Sequence, residues 1–187
     1  MAHSTDNVIL QGAHGTFAKQ LVFRQRFGQS ILCKRPKKSN TPPTDAQIAI
    51  REQFQAATVY AKSVKANPDL LAMYQAAAKD GLSAYNIAVA DFFRAPDIRE
   101  LDVSAYTGAI GNTIRVRAID DFKVKAVQVS IFSTTNELLE EGAAIVAANG
   151  LDWIYTTTKA NSTPAGCKIK VQASDLPGNA TAKEQVI

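Results

Sequence analysis

The chain has 187 residues, 46% of them hydrophobic and 20% charged, a balance that suits one or two folded domains and excludes disordered and fibrous classes. No apolar run approaches the roughly eighteen residues of a membrane helix, so membrane insertion is not expected. The net charge of +4 is uneven: residues 1–43 carry Lys19, Arg24, Arg26, Lys34, Arg35, Lys37 and Lys38 against Asp6 alone, giving +6, while 44–97 and 98–187 each sum to −1.

Residues 1–11 combine no basic start with an apolar stretch and a small-residue cleavage site, so no secretory signal is read there. Cytoplasmic synthesis is expected, with any extracellular or virion destination reached by another route. A short strand is expected at 7–10. Beyond Gly12 and Gly15, Phe17, Leu21, Phe23 and Phe27 alternate against Gln20, Arg24 and Arg26, which predicts a β-ribbon with one apolar face. Gly28-Gln29 supplies its turn, and Ser30 to Cys33 its return strand. The basic, proline-rich stretch from Lys34 to Pro43 predicts an extended arm, because proline removes the donors a central strand needs.

Thr44 and Gln47 form a capping-box pattern, so a helix is expected to start there. Ile50, Phe54, Ala57, Ala61 and Val64 follow at spacings of three and four as one apolar stripe, and Asn67-Pro68 ends this helix while capping the next. The second helix is expected to reach about residue 79, packing Leu71 and Tyr74 or Leu70 and Met73, with Gly81 closing it at positive φ. A third is expected over 83–93, ended by Pro96.

From there the period becomes alternating. Strands are predicted at 101–106, 113–119, 124–132, 137–146, 153–158, 168–173 and 180–186, separated by short turns rich in Gly, Pro, Asn and Asp. Ile114, Val116 and Ala118 share a pattern with Ile169, Val171 and Ala173, each set facing inward from a sheet with one buried and one wet face. The fold expectation is therefore α+β: a β-ribbon and arm over 1–43, two or three helices over 44–97, and a β-sandwich of the immunoglobulin-like kind over 98–187.

Few residues point to catalysis. The histidines are His3 and His14, both near the start, and neither has a nucleophile placed beside it. Asp120-Asp121 and Glu140-Glu141 are sequence neighbours whose side chains leave a strand on opposite faces, so they read as turn and surface charges. Asp120, Asp121, Asp175 and Asn179 are weak calcium candidates if the two matching strands are neighbours. Cys33 and Cys167 stand outside any metal-ligand spacing and read as small buried residues. Trp153 and Tyr155 share one face of a strand, where they either fill the core or stack on a sugar. No cofactor is expected.

Ala118-Ile119-Asp120 and the run from Asp175 to Asn179 resemble elements of the immunoglobulin-like modules of bacterial surface and phage structural proteins, although the antibody-type cysteine pair is absent. Gly15-Thr16, the run from Leu21 to Arg24, Gly28-Gln29 and the run from Lys34 to Gln47 resemble a family of small uncharacterised bacterial proteins, mostly from Bacteroidota, that join a basic ribbon to helices and such a module. The resemblance implies an architecture and a structural or mobile-element setting, and no activity.

The expected function is accordingly non-enzymatic: an assembly subunit that self-associates or docks on a larger particle by strand addition, and displays its C-terminal module. Phage virions or tails, contractile or filamentous assemblies and surface adhesion are the expected settings. The interface candidates are Phe17, Leu21, Phe23, Arg24, Arg26, Phe27, Lys34, Arg35, Lys37 and Lys38. The alternatives are a nucleic-acid-associated protein using the basic ribbon and a carbohydrate-binding module using Trp153 and Tyr155.

Overall fold

A computed structural model describes residues 2–4, 8–38, 40–79 and 81–187. Among these residues three helices and three antiparallel four-stranded sheets make the fold α+β. The chain divides into two compact units, one of residues 1–55 and 78–83, the other of 56–77 and 84–187. The helical segment is shared between them.

In the first unit, β1 (Ala2–Ser4), β2 (Gly15–Phe17), β3 (Leu21–Arg26) and β4 (Gln29–Lys34) form a sheet in the order β1-β4-β3-β2. The β3–β4 turn is Phe27-Gly28, and Gln29 already belongs to β4. Both turn residues have positive φ, 51° and 76°, as a two-residue type I′ hairpin requires. Gly28 accepts this freely. Phe27, expected on the strand's apolar face, is drawn into the turn and left 60% exposed. The strand expected at 7–10 is a turn over 8–10, and Asn7 lies outside the described residues.

Helix α1 (Asp45–Ala66) starts with the reciprocal bonds expected of Thr44 and Gln47. Asn67 accepts from the Asp69 and Leu70 amides at the start of α2 (Pro68–Ala76). That helix stops short of residue 79, because Ala77 caps it in a right-handed conformation, and α3 is Ala84–Phe92. The stripe on α1 is only half realised. Ala57, Ala61 and Val64 are buried, but Ile50 and Phe54 are 62% and 53% exposed, since they precede the part of α1 that enters the second unit's packing.

The second unit holds the remaining strands: β5 (Asp97–Asp102), β6 (Thr113–Ile119), β7 (Val124–Phe132), β8 (Leu138–Ala143), β9 (Ile145–Val146), β10 (Asp152–Thr156), β11 (Lys168–Asp175) and β12 (Ala180–Val186). They form two sheets, β5-β6-β10-β9 and β12-β11-β7-β8. Ile114, Val116 and Ala118 from one sheet and Val127, Val129, Ile131, Ile169, Val171 and Ala173 from the other share a single core. The strand expected at 101–106 starts earlier, directly after Pro96. The strand expected at 137–146 is two, because the chain changes sheets at buried Ala144, whose amide bonds the Val127 carbonyl. Alternation alone does not reveal which sheet a strand has joined.

Gly142 on β8 marks the tightest contact of this core. A Cβ added there would lie 2.7 Å from the Tyr155 ring. Gly142→Ala is expected to cost about 1–3 kcal/mol, read as a lowered urea midpoint with unchanged slope.

Candidate functional site

Sheet β1-β4-β3-β2 is unusual for what it does not bury. Among the described residues of the first unit, one is buried, and it is Ser30. Its hydroxyl donates to the Leu10 carbonyl and accepts from Gln25, which also reaches the Ala13 carbonyl. Register places Phe17 opposite Leu21, Phe23 opposite Leu32 and Leu21 opposite Lys34, so the expected apolar face exists. Leu21 and Phe23 are half-buried, while Phe17 is 65% exposed. Arg24 and Arg26 share the other face, and the Arg26 guanidinium lies 5.2 Å from the Phe27 ring centroid.

The edges are incomplete as well. The short outer strands β2 and β1 pair only with residues 21–23 of β3 and 30–32 of β4. Among the described residues, 24–26 and 33–34 therefore have no ladder partner on those sides, and such backbone edges recruit further strands.

The basic residues separate into two groups. Arg24 and Arg26 lie toward the hairpin tip. At the opposite end of the sheet Lys34, Arg35, Lys37 and Lys38 line a cleft of about 760 Å³ with Lys19. The expected phenylalanines do not line it. Lys19 comes from the β2–β3 loop, where Ala18 and Lys19 both take positive φ, 49° and 56°.

The other candidates are dispersed. Tyr155 is 5% exposed and donates a 2.8 Å bond to Glu140, which removes it from any sugar platform; Trp153 packs partly against the core beside a smaller cleft containing Phe122 and Leu151. The two matching strands β6 and β11 lie in different sheets and are not neighbours, yet Asp120 and Asp175 are near enough for their charges to interact, and Asn179 bonds Asp175 at 2.7 Å. Asp175 accepts from the Gly178 and Asn179 amides, Asp120 from those of Asp121 and Lys123, and Asp121 pairs with Arg94. Among the described residues no cluster of three or more His, Cys, Asp or Glu is arranged to hold a metal. Cys33 and Cys167 are free, half-buried and buried respectively. His14 is exposed, and the side chain of His3 lies outside the described residues.

Among the described residues four carboxylates are buried, Asp91, Glu140, Asp152 and Asp175, and the burial of the first three is not anticipated by the sequence. Glu140, expected at the surface, is 5% exposed, because Gly142 leaves space for Tyr155 to reach it. Burial raises its pKa, but bonds from the Thr158 amide and hydroxyl and from Tyr155 outweigh that and hold it low. Asp91 on α3 is 3% exposed and accepts a 2.5 Å bond from Tyr74, itself bonded to Tyr60 at 2.8 Å. Among the described residues its Oδ1 has no hydrogen-bond partner. Burial pushes its pKa up to about 6, opposed by the Tyr74 bond and assisted by the charges of Asp120 and Asp175.

No family model matches the chain. No curated protein matches it. Among solved structures, an engineered protein from the Northeast Structural Genomics Consortium is similar at 14% identity and a TM-score of 0.34, covering 58% of this chain and 30% of that one. A likeness that loose carries no argument.

Because folding raises the Asp91 pKa, its contribution to stability is complete below about pH 4 and is lost as pH rises through about 6. Asp152, held at about 2 first by its bond from Arg117, has the opposite sign, and its contribution fades only in stronger acid. Urea unfolding is thus expected to show stability falling between about pH 4 and pH 6 by up to about 3 kcal/mol. Asp91→Asn is expected to flatten that slope; an unchanged slope would assign it to another group.

Proposed function

We propose that this chain is a non-catalytic assembly subunit whose N-terminal sheet is covered by a second copy of the chain or by a larger particle, and whose second unit is displayed as an immunoglobulin-like module. One observation carries this reading. A four-stranded sheet with a single buried described residue, a serine, covers the apolar face its sequence encodes only in part, leaving Leu21 and Phe23 half-buried and Phe17 exposed. Isolated sheets gain stability by covering such a face. Exposed Phe17 and Phe27 and the incomplete edges of β3 and β4 offer both apolar contact and strand addition.

The order of the other two sheets supports the finer reading. Lettered in sequence from β5, with β8 as C′ and β9 as D, the strands run A-B-E-D in one sheet and G-F-C-C′ in the other, as in immunoglobulin-like sandwiches. With the resemblance to phage and bacterial surface modules, this favours a virion, tail, contractile or filamentous surface assembly as the setting.

Sedimentation of the full chain over a wide concentration range is expected to reveal oligomers or filaments that disappear when residues 1–43 are removed. Phe17→Ser is expected to weaken association at least about tenfold while leaving thermal unfolding of the second unit unchanged. A strict monomer at the highest concentration, with no filaments in electron micrographs, would overturn self-association.

A further inference from the structure

Two groups of cations in the chain stand in different surroundings. On the outer face of the β5-β6-β10-β9 sheet, Arg115 bonds Glu100 at 2.8 Å and Arg117 bonds Asp152 at 2.8 and 3.1 Å, so positive groups are neutralised where they stand. Around the cleft at the end of β3 and β4, Lys19, Lys34, Arg35, Lys37 and Lys38 converge. Among the described residues no carboxylate pairs with any of the five. Like charges around a concavity repel one another and concentrate positive potential inside it, a cost that a bound anion removes.

The cleft also has defined walls. The Arg35 amide donates a 2.8 Å bond to the Gln20 carbonyl, tying the β2–β3 loop to the end of β4. Consecutive left-handed residues at Ala18 and Lys19 bend that loop, a conformation unfavourable for residues other than glycine. Its volume of about 760 Å³ is in the range of ligand sites. Among the described residues the apolar side chains in the lining are Leu21 and Pro36, and no aromatic ring joins them. Such a wall recognises charge; it has no ring on which a base can stack and little apolar surface to seat peptide side chains.

We propose that this cleft binds a linear run of phosphates, with the Arg35 fork gripping one phosphate and the lysines acting as point charges on its neighbours. Recognition is of the phosphate chain and independent of base sequence. A nucleic-acid backbone and inorganic polyphosphate present this chemistry alike. The inference goes beyond the assembly reading and does not depend on it.

The test is fluorescence anisotropy of a labelled single-stranded oligonucleotide with the full chain across a salt series, with competition by unlabelled polyphosphate and by poly-glutamate. The logarithm of affinity is expected to fall with that of salt at a slope of about −0.7 per phosphate neutralised, or about −3 in all. Substituting Arg35, Lys37 and Lys38 together by Ala should make the slope shallower by about 2 and weaken binding at least tenfold at low salt. Lys37→Ala with Lys38→Ala, both outside any strand, gives the same direction without touching β4, should the triple variant not fold. Lys125→Ala, in the second unit, should change nothing. Competition by polyphosphate supports the proposal. If the oligonucleotide fails to bind but labelled polyphosphate binds with the same variant dependence, the proposal stands with free polyphosphate as the source. Equal competition by poly-glutamate would overturn it in favour of an acidic peptide, and absence of salt-dependent binding to either phosphate chain would overturn it outright. Phe17→Ser should retain binding, which separates this outcome from failure of the assembly reading.

Discussion

The interlocking of two apolar sheet faces is the constraint on which the second unit depends. Ile114, Val116 and Ala118 meet Val127, Val129, Ile131, Ile169, Val171 and Ala173 in a layer closed to water, with each large aliphatic side chain contributing roughly 1.5–3 kcal/mol of burial. That surplus carries costs elsewhere: burial opposes the charge of Glu140, and the bonds from Thr158 and Tyr155 offset it and hold the carboxyl's pKa low. The helical cluster around Tyr74 likewise accommodates a carboxyl with one oxygen that has no partner among the described residues. The N-terminal sheet has no comparable layer. Its geometry is held by backbone ladders and the Ser30–Gln25–Leu10 bonds, which define a shape while leaving its apolar face only half-covered.

What could be read in the residues was whatever depends on near neighbours. Thr44 with Gln47, and Asn67 with Pro68, announce helix starts because their partners lie within one turn. The matching triplets Ile114-Val116-Ala118 and Ile169-Val171-Ala173 announce inner faces because strand periodicity is local. Glu140 reads as a surface charge, and its burial is not legible locally because the hydroxyl that satisfies it belongs to Tyr155, fifteen residues on and in the other sheet. Asp91 was hidden for the same reason, its partner Tyr74 lying seventeen residues away on another helix.

The basic segment was legible as composition and not as shape. Counting charges could not foresee that Arg24 and Arg26 would go to the hairpin tip while Lys19 joined the arm residues around a cleft. Phe27 illustrates a conflict of levels: alternation assigns it to a strand face, but the two-residue hairpin set by the pairing of Arg26 with Gln29 needs positive φ at its position. Backbone geometry prevails over side-chain preference there, and a phenylalanine is left more than half exposed.

The paired arginines of β6 have a consequence for how the molecule is perceived from a distance. An arginine beside its carboxylate is, beyond about one Debye length of roughly 8 Å, almost indistinguishable from a neutral dipole. The outer face of that sheet is dense in charge yet electrically quiet in the far field. The net positive potential therefore originates in the N-terminal unit, and an approaching polyanion is drawn toward that unit before any short-range contact forms.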